Sequence, residues 1–134
     1  MTKTLKFRIY PTNPQKREIF RQLNNHRDLY NFCLDERIKE YELTGKSPSC
    51  FDQIKANVPK FKLNCNVTSL QQTVRRLDKS FNNFFRRIKK GDKPGFPRFK
   101  KSFGSIEFVP TDGASFKDKK LYIQHVGSIK LVKH

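Results

Sequence analysis

The chain has 134 residues, of which 35% are hydrophobic, and its 29 Lys and Arg outnumber its 12 Asp and Glu to give a formal net charge of +17. That length allows one domain with a modest core. Self-repulsion on this scale disfavours compaction unless a polyanion neutralises it, which makes nucleic acid the first partner class and an anionic membrane surface the second. No run of 18 apolar residues occurs, which excludes a transmembrane helix.

The start of the chain alternates: Leu5, Phe7 and Ile9 fall on one side, Lys6, Arg8 and Tyr10 on the other. This period of two predicts a half-buried strand that ends at Pro11, and it has none of the apolar h-region of a secretory signal. Thr12 with Gln15 forms a capping box and Pro14 suits a first helical turn. Ile19, Phe20, Leu23, Tyr30, Cys33, Leu34, Ile38 and Tyr41 then recur at helical spacing. Asn24-Asn25 predicts a break into two helices, and Gly45 a stop for the second. Between Lys46 and Val67 the pattern fades around Pro48 and Pro59, leaving one short helix near Phe51 to Asn57.

The clearest element follows. Thr68-x-x-Gln71 offers a cap, and Leu70, Val74, Leu77, Phe81, Phe84, Phe85 and Ile88 form an unbroken apolar stripe up to Gly91. A helix from Thr68 to Lys90 is about 34 Å long at roughly 1.5 Å per residue. Lys93-Pro94-Gly95 and Pro97 then force extended backbone. Ile106 to Val109, Leu121 to Gln124 and Ser128 to Lys133 read as three strands, with a turn at Asp112-Gly113. A lone first strand is unstable, so it is expected to pair with these, making the helices an insertion into a small β-unit.

The cations are concentrated. Between Arg75 and Lys101 stand eleven of them (Arg75, Arg76, Lys79, Arg86, Arg87, Lys89, Lys90, Lys93, Arg98, Lys100 and Lys101) against Asp78 and Asp92, just over half of the net charge. Arg75, Lys79, Asn83, Arg86 and Lys90 follow one track along the predicted helix and would form a ladder reaching for phosphates. A merely solvated helix face would carry both signs. Phe96, Phe99 and Phe103 alternate with Arg98, Lys100 and Lys101. Such aromatics either stack on bases or pin the segment to the core; alternation in extended chain favours pinning, with Arg98 exposed. The acids are scattered and suit ion pairs better than two-metal chemistry. Cys33, Cys50 and Cys65 include no CxxC pair, and His26, His125 and His134 lack metal-ligand spacing. Ordinary thiols in a reducing cytoplasm are therefore expected, with no metal site and no catalytic residue.

Several segments resemble the N-terminal region of TnpB (OrfB-type) proteins, the transposon-encoded family of RNA-guided nucleases. They are Phe7-Arg8-Ile9-Tyr10-Pro11-Thr12, Leu29-Tyr30-Asn31-Phe32, Tyr41 through Ser47, Ser69-Leu70-Gln71-Gln72 and Leu77 through Arg87. The most specific is Lys89-Lys90-Gly91 followed by Lys93-Pro94-Gly95-Phe96-Pro97-Arg98-Phe99-Lys100. The resemblance implies an α+β fold: a split oligonucleotide-binding-like (wedge) β-barrel interrupted by a helical recognition bundle. The expected boundaries are residues 1–11 for the first wedge strand, 12–93 for the helical insertion and 94–134 for the rest of an incomplete barrel. It implies binding of a structured guide RNA and of target DNA beside a short adjacent motif, in a bacterial or archaeal cytoplasm.

Under that implication Lys6 and Arg8 join the eleven cations and Asn83 as nucleic-acid contacts. Thr68, Ser69, Gln71 and Gln72 become candidate readers of the adjacent motif, because a Gln amide pairs bidentately with adenine. The family's RuvC-like domain, with its catalytic carboxylates, magnesium and structural zinc, has no counterpart in this sequence. No cofactor is therefore expected, and cleavage would need a separate nuclease chain. Two other readings remain open, a helix-turn-helix-like repressor and a non-functional transposase remnant.

Overall fold

The structure, a computed structural model, describes residues 4–109 and 111–133; of the three expected units, positions 1–3, 110 and 134 lie outside the described residues. Strand β1 (Phe7–Tyr10) leads into helix α1 (Asn13–Thr44), followed by α2 (Cys50–Asn57), a 3-10 turn (Val58–Phe61) and α3 (Val67–Lys89). Strands β2 (Ala114–Lys117), β3 (Lys120–Ile123) and β4 (Gly127–Lys133) complete the order. The fold is α+β. Its sheet is antiparallel and open in the order β1-β4-β3-β2, so the two ends of the chain meet side by side, Ile9 opposite Leu131.

The expected break at Asn24-Asn25 is absent, and α1 runs uninterrupted for 32 residues. Asn25 turns inward instead of bending the chain. Its Nδ2 donates to the Phe61 carbonyl at 2.6 Å and to Cys65 Sγ at 3.3 Å, so its polar end is satisfied and the backbone continues helical. The start and stop are as the residues dictate. Thr12 and Gln15 form the reciprocal capping box, and Gly45 closes the helix at φ 75°, a conformation that costs glycine little.

The core lies between α1 and α3. Leu29, Tyr30, Cys33 and Leu34 meet Leu70, Val74, Leu77, Phe81 and Phe84, with Val58, Cys65 and Phe103 closing the ends. The predicted stripe of α3 fits this except at its last member: Ile88 is 40% exposed because α3 outruns its support there. Burying Arg37 (2% exposed) requires partners, and it has three: Gln53 Oε1 at 2.6 Å, Asp78 Oδ1 at 3.1 Å and the Phe81 ring face at 5.3 Å.

Two further expectations need correction. No strand forms at Ile106–Val109, where Ile106 and Phe108 are half-buried in irregular backbone. The strand that pairs with β3 lies instead at Ala114–Lys117, in a segment whose lysines obscure the alternation. The cap of α3 is Asn66, whose side chain accepts from Ser69 N at 2.8 Å. Thr68 lies inside the helix, and its hydroxyl donates to Asp112 Oδ2 at 2.6 Å.

Asn66 also joins α3 to the sheet. Its Nδ2 donates to Asp112 Oδ1 and to Gln124 Oε1, both at 2.9 Å. Gly113, at φ 86°, leaves room for it: a Cβ there would come within 2.5 Å of the Asn66 side chain. From α1, Gln22 donates to the Gln124 carbonyl and Gln15 to that of Ser128.

Candidate nucleic-acid interface

With 3.6 residues per turn, Arg75, Lys79, Asn83, Arg86 and Lys90 fall on the flank of α3 opposite its apolar stripe, and all five are exposed. Among the described residues the ion pairs involve Arg21, Arg27, Arg37 and Lys39, all of them on α1. The one acid of α3, Asp78, is turned to buried Arg37 and so does not neutralise the ladder. Arg75 donates to the Gln72 side chain at 3.0 Å, a neutral contact that keeps its full charge. The row therefore presents net positive charge to solvent, where it can displace the counterions condensed on a phosphate chain.

Beside the ladder lies a cleft. Its walls are α3 and the extended strap from Pro94 to Lys100; Tyr30 of α1 lies between them, with Ser80, Asn83, Phe84 and Arg87 along the helix side. A smaller hollow continues it past Arg76 and Lys79. The strap is held firmly. Phe96 stacks on Phe84 with ring centres 5.0 Å apart and meets Tyr41 edge-on at 5.7 Å. Asn31 clasps the backbone of Lys100 twice, donating to its carbonyl and accepting from its amide, each at 2.8 Å. Arg27 donates to the Lys101 carbonyl at 3.3 Å.

The three phenylalanines of this region divide. Phe96 packs against the core and Phe103 is buried, both as pins, whereas Phe99 stays 51% exposed at the mouth of the cleft. Arg98 and Lys100 flank it and are exposed, and Lys100 Nζ stands 5.8 Å from the Tyr30 ring centre.

The other predicted contacts are placed unevenly. Arg87, Lys89, Lys90, Lys93 and Lys101 are exposed and extend the cationic surface. Arg76 is half-buried and structural, its guanidinium 4.7 Å from the Phe103 ring centre and donating to the Ser105 carbonyl at 3.1 Å. Lys6 and Arg8 are exposed beside and on β1, outside the cleft; Arg8 covers Tyr10. Of the four motif-reading candidates, Ser69 is 1% exposed and donates to the Asn66 carbonyl at 2.7 Å, so no base edge can reach it. Thr68 is committed to Asp112, while Gln71 and Gln72 remain half-exposed. Sequence reasoning missed Tyr30 and Asn31 as members of the site. A tyrosine and an asparagine within an otherwise apolar helical run were the available signal.

Behind the cleft, His26 is fully buried. Its Nδ1 lies 2.6 Å from Thr73 Oγ1, and desolvation, helped by the charge of Arg76, lowers its pKa to about 4. It is therefore a neutral hydrogen-bonding group at pH 7. Burial likewise pushes the Cys33 thiol up to about 11, which makes it unreactive. Among the described residues no three His, Cys, Asp or Glu side chains converge to hold a metal ion, and no helix is long and apolar enough to cross a membrane.

Residues 1–46 match the family model HTH_OrfB_IS605, described as a helix-turn-helix domain. No curated protein matches the chain. Among the described residues of the matched segment the backbone makes one strand and one uninterrupted helix. The next helix, α2, begins at Cys50, beyond the matched residues.

Proposed function

We propose that this chain, whose first 46 residues are an N-terminal region of the TnpB/OrfB type, is a nucleic-acid-binding module that holds DNA and a structured RNA along α3 and cuts neither by itself. The observation that carries this reading is the exposed row Arg75, Lys79, Asn83, Arg86 and Lys90, which makes no ion pair among the described residues and is backed by Arg87 and Lys93. A helix held by one flank in a rigid core and cationic along the other is a fixed rail for a sugar–phosphate chain. The fixed spacing reduces the ordering cost of binding, and the charge speeds association.

Within this reading the phosphate contacts position and other groups specify. Gln71 and Gln72 serve as readers of the motif beside the target, since their amides are still accessible. Thr68 belongs to the joint with the sheet and Ser69 to the cap of the helix. The open sheet serves as part of the wedge unit, and the nuclease activity of the family would come from a part outside these residues.

The test is titration of the full chain with a labelled 20-base-pair duplex and with a structured RNA between 50 and 200 mM salt. Each phosphate contact contributes roughly 0.9 to the slope of log affinity against log salt on duplex DNA. Replacing Arg75, Lys79 and Arg86 together by alanine should flatten that slope by about 2 to 3 and leave the circular dichroism spectrum unchanged. Gln71→Ala should relax preference across a panel of motif variants, while Arg86→Ala alone should weaken all of them alike. An unchanged slope in the triple variant would place the phosphates elsewhere and overturn the assignment.

A further inference from the structure

We propose that the cleft between α3 and the strap Pro94–Lys100 is a single-strand site, which takes one unpaired nucleotide with its base face on Phe99 and its edge towards Asn83 and the Tyr30 hydroxyl. The inference deepens the reading above and rests on it: the ladder would hold a backbone, and the cleft would receive a base that the backbone presents.

Three observations carry it. The first is the mouth. Phe99 is 51% exposed between two exposed cations, Arg98 and Lys100, on a strap that Phe96 and Asn31 hold rigid. An aromatic face kept in water by a fixed backbone loses contact area unless a ligand covers it. Within a duplex the base faces are already stacked on one another and only edges are open in the grooves. Faces are offered by single strands and extruded nucleotides alone.

The second is the floor. Tyr30 is 4% exposed, and its hydroxyl, which makes no hydrogen bond to any described residue, keeps contact with solvent while its side chain lines both parts of the cleft. A phenylalanine would fill the same core space beside Phe103 but would offer the cleft no hydrogen-bonding group. Asn83, exposed on the helix wall, supplies one acceptor and two donors and likewise has no partner among the described residues. A hydroxyl and an amide are the complement of a base edge. A phosphate would be served by the cations alone.

The third is the charge of the lining. Arg87, Arg98 and Lys100 line the main cleft, Lys79 lines its continuation, and no Asp or Glu lines either. The phosphates on both sides of a bound nucleotide therefore have cations within the same hollow, and no carboxylate opposes them.

The experiment uses the full chain and three fluorescein-labelled probes of one sequence, namely a 12-nucleotide single-stranded RNA, the matching single-stranded DNA and their DNA duplex, followed by fluorescence anisotropy. Phe99→Ala should weaken both single strands by about tenfold, the effect of losing one stacked base, and the duplex by less than about twofold. Tyr30→Phe, which removes one oxygen and keeps the packing, should reduce discrimination among oligo-A, oligo-C and oligo-U probes. If RNA is the intended strand, the single-stranded RNA will lose more than the DNA. Equal losses on single strands and duplex would make the cleft part of a general phosphate surface and overturn the inference. So would unaltered single-strand binding in both variants alongside weakened binding in the Arg75, Lys79 and Arg86 triple variant, an outcome that leaves the module reading standing. Absence of binding to all three probes at 50 mM salt would overturn the module reading itself, and this inference with it.

Discussion

The first turn of α3 and its last three turns are built on opposite terms. At the N-terminal end nearly every polar group has a partner: Asn66, Ser69 and Thr68 are committed to one another, to Asp112 and to Gln124. At the C-terminal end Arg86, Arg87, Lys89 and Lys90 are exposed and have no acid within ion-pairing distance among the described residues. A residue pattern that looks equally polar at both ends thus does two jobs. One end fixes the helix to the sheet, and the other is left incomplete in a way that an external polyanion can complete. Stability and binding should therefore be separable by substitution along a single helix.

The sharpest test of that separation lies midway between the ends. Phe81 is fully buried, touches Phe84, Phe85 and Phe96, and carries the guanidinium of Arg37 on its face. Phe81→Ala should lower unfolding free energy by about 3–5 kcal/mol, measured by urea denaturation. The fraction that remains folded should still bind duplex DNA with nearly the wild-type salt slope, because the cationic flank is untouched. A slope that collapses along with stability would mean that the two properties are not divided as the structure implies.

Acidification probes the same division without mutation. The folded-state pKa of His26 is near 4, below the ordinary value of 6.5, so folding favours its neutral form. Its contribution is fully present above pH 6.5 and is lost as pH falls towards 4, by on the order of 3 kcal/mol. The urea midpoint should fall across that window. In His26→Gln, which does not titrate, the midpoint should stay flatter between the same two pH values. A wild-type midpoint that is level from pH 7 to 4.5 would show that the buried imidazole is not held neutral.

How much of this was legible beforehand depended on whether a residue's partner was near it in sequence. The capping box of Thr12 and Gln15, the stop at Gly45 and the stripe from Leu70 to Phe84 are local patterns, and each was readable. Asn25 was misread because its partners, Phe61 and Cys65, are 36 and 40 residues away; without them an Asn-Asn pair reads as a break. Thr68 was misread in the same manner, since the carboxylate it serves is 44 residues on. The strand at Ala114–Lys117 has only Ala114 and Phe116 to mark its alternation, and pairing with β3 decides it. The ladder was legible because it is helical and local. The cleft was not, because it exists only when Asn31 brings the strap against α1.

The smallest expected effect tests the joint itself, at Asn66. One side chain caps α3 through its oxygen and ties Asp112 and Gln124 through its nitrogen. Asn66→Ala removes both functions and should cost about 1–2 kcal/mol, near the upper part of the range for loss of a helix cap. Asn66→Asp separates them, because aspartate caps a helix as well as asparagine does but cannot donate to either partner. It also sets a second carboxylate against Asp112, whose own pKa is held below the usual value by hydrogen bonds from Thr68 and Asn66. The Asp112 contribution is present above pH 3.8 and is lost as pH falls through its lower folded value, so at pH 7 the two negative charges must oppose each other. If the joint matters, Asn66→Asp will be at least as unstable as Asn66→Ala at pH 7 and will recover relative to it when the pH is lowered to 4. Wild-type stability in Asn66→Asp would reduce the residue to a cap, and the rigid seat of the N-terminal end of α3 would have to be sought in the core beneath it.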